Sequence, residues 1–217
     1  MNTPASIADI LRLSPVMPVV TIEDAAAAPE LARALVRGGI RTIEVTLRTK
    51  PALRAIEAIA ATVPEICVGV GTVMSTEDLS LAADAGAAFA ISPGATRELL
   101  EAGARFRIPY LPGVATASEL MSAMAAGYRH FKLFPANVAG GVAALKGFHG
   151  PFPDARFCPT GGITPQTAPS YLEQPNVLCV GGSWLTPADA VRAGDWARIE
   201  KIAREATALA AAIAPAH

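Results

Sequence analysis

Short apolar stretches rich in β-branched and aromatic residues recur along the whole chain, with starts about 20 to 26 residues apart. The eight predicted strands are Met17–Thr21, Thr42–Thr46, Ile66–Val70, Ala88–Ser92, Ile108–Leu111, His130–Phe134, Arg156–Thr160 and Val177–Val180. The segments between them have helical periodicity and predict helices at Pro29–Arg37, Ala52–Ala61, Glu77–Ala85, Arg97–Ala102, Ala117–Ala126 and Ala188–Ala193. Strands that alternate with helices indicate a parallel sheet with crossover helices.

This alternation predicts a (β/α)₈ TIM barrel formed by a single domain over residues 1–217. We expect an extra N-terminal helix at about Ile7–Leu13, before the first strand, and a final helix at about Ala197–Ile213. An open doubly wound sheet is the alternative fold. Its usual mark is a glycine-rich loop after the first strand, whereas the corresponding segment here, Thr21–Asp24, contains no glycine.

Composition and charge narrow the class of function. Apolar residues make up 52% of the chain, and the net charge of −1 argues against nucleic acid or an anionic membrane as a partner. The three cysteines lie far apart in apolar stretches, so we expect buried free thiols and a reducing compartment. Asp9 and Arg12 interrupt the first apolar patch, and no apolar run reaches the roughly 18 residues of a membrane span. We therefore expect a cytoplasmic protein.

One lysine stands in an apolar stretch where a charged side chain is unusual. Lys132 lies in the sixth predicted strand, between Phe131 and Leu133. Lysine is rarely buried without compensation, and burial favours its uncharged amine, which attacks carbonyl carbon. The alternative is that Lys132 marks a strand end and reaches solvent with its long side chain. The residues that face Lys132 in the barrel decide between these interpretations.

The alternation of side chains along a strand predicts which residues enter the barrel. In the sixth predicted strand, His130, Lys132 and Phe134 share one face. In the second, Glu44 and Arg48 share one face, and the intervening apolar residues form the helix-facing set. The pattern therefore places a carboxylate inside the barrel at mid-strand and a guanidinium inside near the strand end.

The third and fourth predicted strands add a hydroxyl and free space. Thr72 shares the parity of Val70, and we expect it to point inward at the C-terminal rim. On the fourth strand the small residues are predicted to face inward, and Phe89 and Ile91 outward, which would leave room for a long lysine side chain. Polar residues at the C-terminal ends of barrel strands are typical of catalytic positions. The inward polar set is Glu44, Arg48, Thr72 and Lys132.

Two glycine pairs follow the last two predicted strands. Gly161 and Gly162 follow the seventh, and Gly181 and Gly182 follow the eighth, with Ser183 next. Barrels often bind phosphate in these two loops, because glycine lets backbone N–H groups approach an anion closely. Two tight turns are the alternative interpretation, but a glycine pair in both loops favours a phosphate site.

Seven short motifs occur in order over nearly the full length: Ile43–Thr49, Gly69–Val73, Ser92–Gly94, Pro112–Thr116, Phe131–Ala136, Pro159–Ile163 and Gly181–Trp184. Together they resemble the 2-keto-3-deoxy-6-phosphogluconate (KDPG) aldolase family, whose members often also cleave 4-hydroxy-2-oxoglutarate (KHG). The resemblance implies a class I aldolase without metal or other cofactor, on a (β/α)₈ barrel that is usually a homotrimer. Its substrate would be a phosphorylated keto acid, split into pyruvate and glyceraldehyde 3-phosphate.

The resemblance also implies a role for each matching residue. Lys132 forms the Schiff base and Glu44 is the general acid/base. Arg48 and Thr72 hold the substrate carboxylate. Two further residues contribute apolar surface: Pro93 lines the substrate pocket and Phe134 packs beside the lysine. The phosphate is surrounded by Thr160, Gly161, Gly162, Gly182 and Ser183.

Three residues depart from the family pattern. Asn137 stands where Glu is common after Phe-Pro-Ala, Thr167 where Asn is usual, and Val70 where Ala is common. None is a predicted catalytic group.

Three other functions stay open. They are a 2-dehydro-3-deoxy-6-phosphogalactonate aldolase, a phosphate-binding barrel isomerase that forms no imine, and a non-enzymatic binding barrel in which Lys132 is only ion-paired to Glu44. His130 is interpreted as a core or rim residue.

Overall fold

The computed structural model describes residues 6–213, with side chains described to residue 209. Nine strands are assigned in this part of the chain: β1 Val16–Val20, β2 Thr42–Thr46, β3 Cys67–Gly71, β4 Ala90–Ile91, β5 Tyr110–Leu111, β6 Gly113–Val114, β7 His130–Leu133, β8 Arg156–Pro159 and β9 Val180–Gly182. The predicted strand–helix alternation is confirmed, with most boundaries within two residues of the prediction.

Ten α-helices are assigned between and after the strands. They are α1 Ile7–Leu11, α2 Ala28–Arg37, α3 Ala52–Thr62, α4 Thr76–Asp84, α5 Arg97–Gly103, α6 Ala117–Ala125, α7 Gly141–His149, α8 Ala168–Leu172, α9 Ala188–Ala193 and α10 Trp196–Ile213. A short 3₁₀ helix at Ala25–Ala27 precedes α2. Over the described residues, no helix combines the length and the apolar character needed to cross a membrane.

Side-chain caps fix where two of these helices begin. Ser75 accepts a hydrogen bond from the backbone N–H of Asp78, whose carboxylate accepts from the backbone N–H of Ser75 in return. Thr116 and Glu119 form the same reciprocal pair at the start of α6. Each capping box satisfies two backbone donors that a helix leaves unpaired, so these two starts are encoded locally.

All strand pairs are parallel. One six-stranded sheet has the order β5-β4-β3-β2-β1-β9, and a three-stranded sheet has the order β6-β7-β8. The segment from Tyr110 to Val114 carries the chain from the first sheet to the second. On the other side, parallel bridges join Phe157 to Val177 and Thr160 to Gly181. The architecture is an α/β fold with curled parallel strands covered by helices.

Two clusters of buried apolar side chains lie on opposite faces of the strands. The outer cluster joins strand residues such as Val45 to helix residues such as Ile56. The inner cluster joins Met17 of β1 to Ile10 and Leu11 of α1. The predicted N-terminal helix therefore packs its apolar face against the inner face of the strands.

Strands β3 and β4 reverse the predicted faces. Phe89 and Ile91 belong to the inner cluster, whereas Val68, Val70 and Ala90 belong to the outer one. The prediction that small residues of the fourth strand face inward is therefore wrong. A parallel strand that is buried on both faces is apolar throughout, so its alternation does not distinguish the two faces.

The small inward residues lie on β3 instead. A Cβ on Gly69 would collide with the Phe89 ring, and a Cβ on Gly71 would lie 2.6 Å from Cγ and Cδ of Glu44. The free space therefore lies beside the Glu44 carboxylate on β2, and the two glycines of β3 provide it.

Two further differences concern the second half of the chain. The last predicted strand, Val177–Val180, is displaced to β9, although Val177 still bridges Phe157. Helices α7 and α8 were not predicted. Helix α7 begins at Gly141, and α8 has only five residues, so neither has a long apolar period that would mark it in the sequence.

Candidate active site

Lys132 and Glu44 form a buried pair in the space between the two sheets. Lys132 Nζ lies 2.9 Å from Glu44 Oε1 and 3.2 Å from Oε2. The side chains are 5% and 2% exposed, respectively. Strand β7 carries the lysine and β2 the glutamate, so the contact spans two sheets, and the predicted inward parity of both residues is confirmed.

Phe134 lies over the amine. Lys132 Nζ is 5.2 Å from the centroid of the Phe134 ring. A ring at this distance favours a cation electrostatically and limits the access of water to it. The predicted neighbourhood of Lys132 and Phe134 is therefore present.

The register of β6, β7 and β8 determines what surrounds the lysine. Lys132 is paired with Gly113 on one side and with Cys158 on the other. A Cβ on Gly113 would collide with the backbone of Pro93, so the loop that contains Pro93 packs directly against the strand next to the lysine. Pro93 thus packs against Gly113, the strand partner of Lys132, and its role in lining a substrate pocket stays a prediction.

Arg48 and Thr72 follow the ends of their strands. Arg48 is exposed and lines the main cavity described below, within which its guanidinium is available to an anion. Thr72 is half-buried and has a φ of 62°, in the left-handed region that a β-branched residue rarely adopts. Strain of this kind is concentrated at functional sites. Thr72 was predicted to point inward because it shares the parity of Val70. Since Val70 faces the helices, strand parity does not place Thr72 on the inner face.

A cavity of about 870 Å³ is lined by Phe134, whose ring lies over the Lys132 amine, whereas Lys132 and Glu44 themselves are not part of its lining. It contains most of the residues that were predicted to surround an anion. Its lining includes Arg48, Phe134, Thr160, Gly161, Gly162 and Ser183. Thr72, Pro93 and Gly182 are not part of this lining, although Gly181, the neighbour of Gly182, is. The cavity therefore brings together Arg48 and five other predicted site residues.

The anion end of this cavity is made of exposed backbone. Gly161 and Gly162 have φ values of 103° and 71°, which L-residues with a side chain rarely adopt. The side chain of Asn137 packs against Gly162 so closely that a Cβ there would collide with it. Gly162 and Ser183 are exposed, so their donors are accessible from the cavity.

Two buried thiols lie in the inner cluster beneath the lysine, and sequence reasoning assigned them no place at the site. Cys158 and Cys179 are both buried and free, and Cys158 Sγ lies 3.8 Å from Thr160 Oγ1. The hydrogen bond to Cys158, and burial after it, raise the pKa of Cys179 well above its usual value. The available signal was strand parity, since Cys158 and Thr160 share a face.

His130 lies at the start of β7, at the opposite end of the strand from Phe134. Burial, followed by the positive charges of Arg12 and Arg156, lowers its pKa. Its interpretation as a core or rim residue agrees with its half-buried side chain. His130 is two residues from Lys132 on the same face, but it is not part of the cavity lining.

The arrangement offers an amine, a carboxylate and an anion site in one place. The carboxylate is within hydrogen-bond distance of the amine and so is positioned to take or return a proton. In the described part of the chain, no group of three or more His, Cys, Asp or Glu side chains is placed to hold a metal ion.

Comparison with known families gives one match over most of the chain. The sequence model of the KDPG and KHG aldolases matches residues 7–202. A 2-dehydro-3-deoxy-phosphogluconate aldolase of Pseudoalteromonas atlantica is 52% identical over 212 residues, which cover 98% of this chain and 99% of the relative. A KHG/KDPG aldolase of Escherichia coli is 52% identical over 205 residues, which cover 94% and 96%.

A solved structure has the same fold. The KDPG aldolase from Legionella pneumophila, with pyruvate captured at low pH as a covalent carbinolamine intermediate, superposes with a TM-score of 0.91. It is 46% identical in sequence, and the match covers 92% of this chain and 97% of that one.

Proposed function

Since the chain belongs to the KDPG and KHG aldolase family, we propose that it is a class I aldolase that cleaves KDPG to pyruvate and glyceraldehyde 3-phosphate through an imine on Lys132. The observation that carries the proposal is the buried contact between Lys132 Nζ and both carboxylate oxygens of Glu44. An amine that attacks a ketone needs an adjacent proton acceptor, and Glu44 is in contact with it.

The first step joins the substrate to Lys132. Glu44 takes a proton from the ammonium, and the free Nζ attacks the C2 ketone to give a carbinolamine. Glu44 returns that proton to the carbinolamine hydroxyl, which leaves as water, and the product is a protonated imine, which is an electron sink. Phe134, 5.2 Å from Nζ, keeps bulk water away from this centre.

The second step breaks the C3–C4 bond. Glu44, directly or through one water, takes the proton of the C4 hydroxyl, and the bonding electrons move into the imine to give an enamine. Glyceraldehyde 3-phosphate leaves. Glu44 then returns the proton to C3, and water hydrolyses the imine to release pyruvate and the lysine amine.

The two ends of the substrate are held differently. Arg48 supplies a planar guanidinium that can bind the substrate carboxylate through two hydrogen bonds, with Thr72 beside it. Pro93 packs along the carbon chain. The phosphate is held by Thr160, Gly161, Gly162, Gly182 and Ser183, largely through backbone N–H groups.

Borohydride trapping tests this proposal. With pyruvate present, borohydride is expected to reduce the imine and attach the three-carbon unit to Lys132, as read by peptide mass spectrometry. Lys132→Ala should lose both labelling and aldol cleavage, whereas Lys146→Ala, an exposed lysine on α7, should keep both. Labelling at Lys146 or Lys201 in the wild-type protein would contradict the assignment.

A second substrate, 4-hydroxy-2-oxoglutarate, is favoured by one observation. The Escherichia coli relative carries both substrates in its name and matches 94% of this chain. The same imine and the same bond cleavage would release pyruvate and glyoxylate. This substrate has a carboxylate on C4 and no phosphate, so it needs the buried pair but makes no phosphate contact with the glycine loops.

The alternative functions predict different trapping results. An isomerase that forms no imine, or a binding barrel, would give no borohydride label with pyruvate. A 6-phosphogalactonate aldolase would be labelled in the same way but would prefer the C4 epimer, so a comparison of the two epimers separates it from a KDPG aldolase.

We further propose that residues 1–217 form one domain in which the two sheets close into an eight-stranded barrel. The bridge between Thr160 and Gly181 and the continuous segment from Tyr110 to Val114 support closure. A single cooperative unfolding transition and an experimental structure would test it.

The proposed homotrimer is supported by exposed apolar side chains. Met74, Met121 and Val138 are 70%, 60% and 78% exposed and are candidate positions for a subunit contact. Light scattering should give three times the mass of one chain.

We also propose a cytoplasmic location, because the three free thiols of Cys67, Cys158 and Cys179 fit a reducing compartment. Cell fractionation would test it.

A further inference from the structure

Gly71 lies at the end of β3, directly against the side chain of Glu44. Its register partner on β2 is Thr46, two residues beyond Glu44 on the same face. A Cβ at position 71 would collide with Glu44 Oε1 and would lie 2.6 Å from both Cγ and Cδ. Real Cβ atoms do not approach other heavy atoms this closely, so one of the two side chains would have to move.

The backbone does not explain the glycine. Gly71 lies within a strand, and its φ is outside the left-handed region that favours glycine. Glycine also weakens a strand interior, because it has no side chain to pack and loses more conformational freedom on folding. The property of Gly71 that matters at this position is therefore the absence of a Cβ.

The carboxylate has few other constraints. Among the described residues, the hydrogen bonds to Glu44 side-chain oxygens come from Lys132 Nζ alone. No backbone N–H or hydroxyl anchors the group in addition. Its distance from the amine is therefore set by that contact and by the surfaces that confine the Glu44 side chain, of which Gly71 is one.

We propose that Gly71 is a positioning residue for the reaction: by lacking a Cβ, it leaves the space in which the Glu44 carboxylate reaches Lys132 Nζ. The expected loss of activity rests on the proposed function, whereas the collision between a Cβ at position 71 and the Glu44 side chain does not. A methyl group at this position displaces the carboxylate from the amine while leaving the cavity and its anion end as they are.

Gly71→Ala tests the proposal in the full-length protein. We expect kcat for KDPG cleavage to fall about 100-fold, because a positioned general acid/base contributes about 10²-fold or more. KM should change less than about threefold, since the substrate's binding groups are elsewhere. The rate at which borohydride and pyruvate label Lys132 should fall in parallel with kcat.

Two glycine variants serve as matched controls. Gly69→Ala is on the same strand and face, but its methyl group meets the Phe89 ring, so it should lower the melting temperature without a comparable loss of kcat in the folded protein. Gly147→Ala is on the exposed face of α7 with open space around it and should change neither property.

A double-mutant cycle separates positioning from a general structural role. If Gly71 acts through Glu44, then Gly71→Ala in the Glu44→Ala background should change the residual kcat less than about twofold. The added methyl group occupies space that the missing carboxylate has left, so the double variant should fold as well as Glu44→Ala alone.

Each outcome is decisive. Full kcat in a folded Gly71→Ala protein would overturn the inference, as would a further loss of folding or of residual activity in the double variant. If Gly71→Ala does not fold, an intact double variant still supports the steric relation to Glu44. Absence of pyruvate labelling in the wild-type protein would overturn the proposed function instead.

Discussion

The two ends of the candidate site are built in opposite ways. At one end, Lys132 and Glu44 are almost completely buried, come from strands of different sheets and already contact each other. At the other, Gly162 and Ser183 are exposed in loops that follow the last strands. The buried end uses two charged side chains held by rigid strands, and the open end uses backbone donors held by glycine conformations.

This difference shows which end of the site requires precisely placed atoms. A proton transfer requires contact between specific atoms, and strand positions fix those atoms. An anion with several equivalent oxygens is satisfied by many donor arrangements, so a loop is sufficient for it. A buried ion pair is by itself weak evidence of function. The proposed function therefore depends also on the cavity that Phe134 and the glycine loops line.

Among the variants that test this comparison, the largest loss of activity is expected when Glu44 is replaced. Glu44→Gln keeps the shape of the side chain but removes the proton acceptor, so we expect kcat for KDPG to fall by about 1000-fold. Slow imine formation should persist, and borohydride should still label Lys132 with pyruvate. Steady-state kinetics and mass spectrometry measure the two quantities separately.

The control for this variant is an exposed carboxylate. Glu101→Gln removes a charge on α5 whose ion pair with Arg97 is exposed, so it should leave kcat unchanged. Unchanged turnover in Glu44→Gln would show that the buried pair is structural and that Glu44 has no catalytic role.

A smaller and more selective effect is expected at the open end. Ser183→Ala removes one hydroxyl donor, and a hydrogen bond to a charged group corresponds to a change of about tenfold in KM for KDPG. The same variant should leave KM for 4-hydroxy-2-oxoglutarate unchanged, because that substrate has no phosphate. Equal changes for both substrates would place Ser183 at the wrong end of the site.

The smallest effect concerns His130, which lies outside both ends. Its pKa is lowered in the folded protein, so the unfolded state binds a proton more readily. The folded state therefore loses stability as the pH falls through the ordinary histidine range near about 6.5. His130→Asn should reduce the drop in melting temperature between pH 7.5 and about pH 5.5, with kcat unchanged at pH 7.5. An unaltered drop would exclude His130 as its source.

Strand parity predicted the buried end well and failed where both faces of a strand are apolar. On β2 and β7, one charged residue on each strand breaks the apolar pattern, and only the inward face offers it a partner. On the third strand the prediction followed the parity of Thr72 and on the fourth it followed residue size, but Val70 and Ala90 belong to the outer cluster, so both predictions of the inward face are wrong. Glycine was the missing signal, since Gly69 and Gly71 stand where a side chain would collide with an interior group.

The open end was predicted from residue type and loop position, without geometry. The sequence located Gly161 and Gly162 correctly after β8, whereas Gly181 and Gly182 lie within β9 and not after it, and the sequence could not show that Asn137 packs against Gly162. That contact joins residues that are distant along the chain, and only the packing of the loop after β7 against the loop after β8 brings them together. The place of Cys158 beneath the site was within reach of strand parity, because Cys158 shares a face with Thr160, whereas its contact with Cys179 joins two different strands.

Helix α1 and the cavity lie toward different ends of the strands. Ile10 and Leu11 of α1 are completely buried in the inner cluster with Met17, near the start of β1. The cavity is lined by residues that follow strand ends, such as Arg48 and Gly161. In the proposed mechanism the aldehyde is released first, because pyruvate stays bound to Lys132, and in the synthetic direction pyruvate binds before the aldehyde.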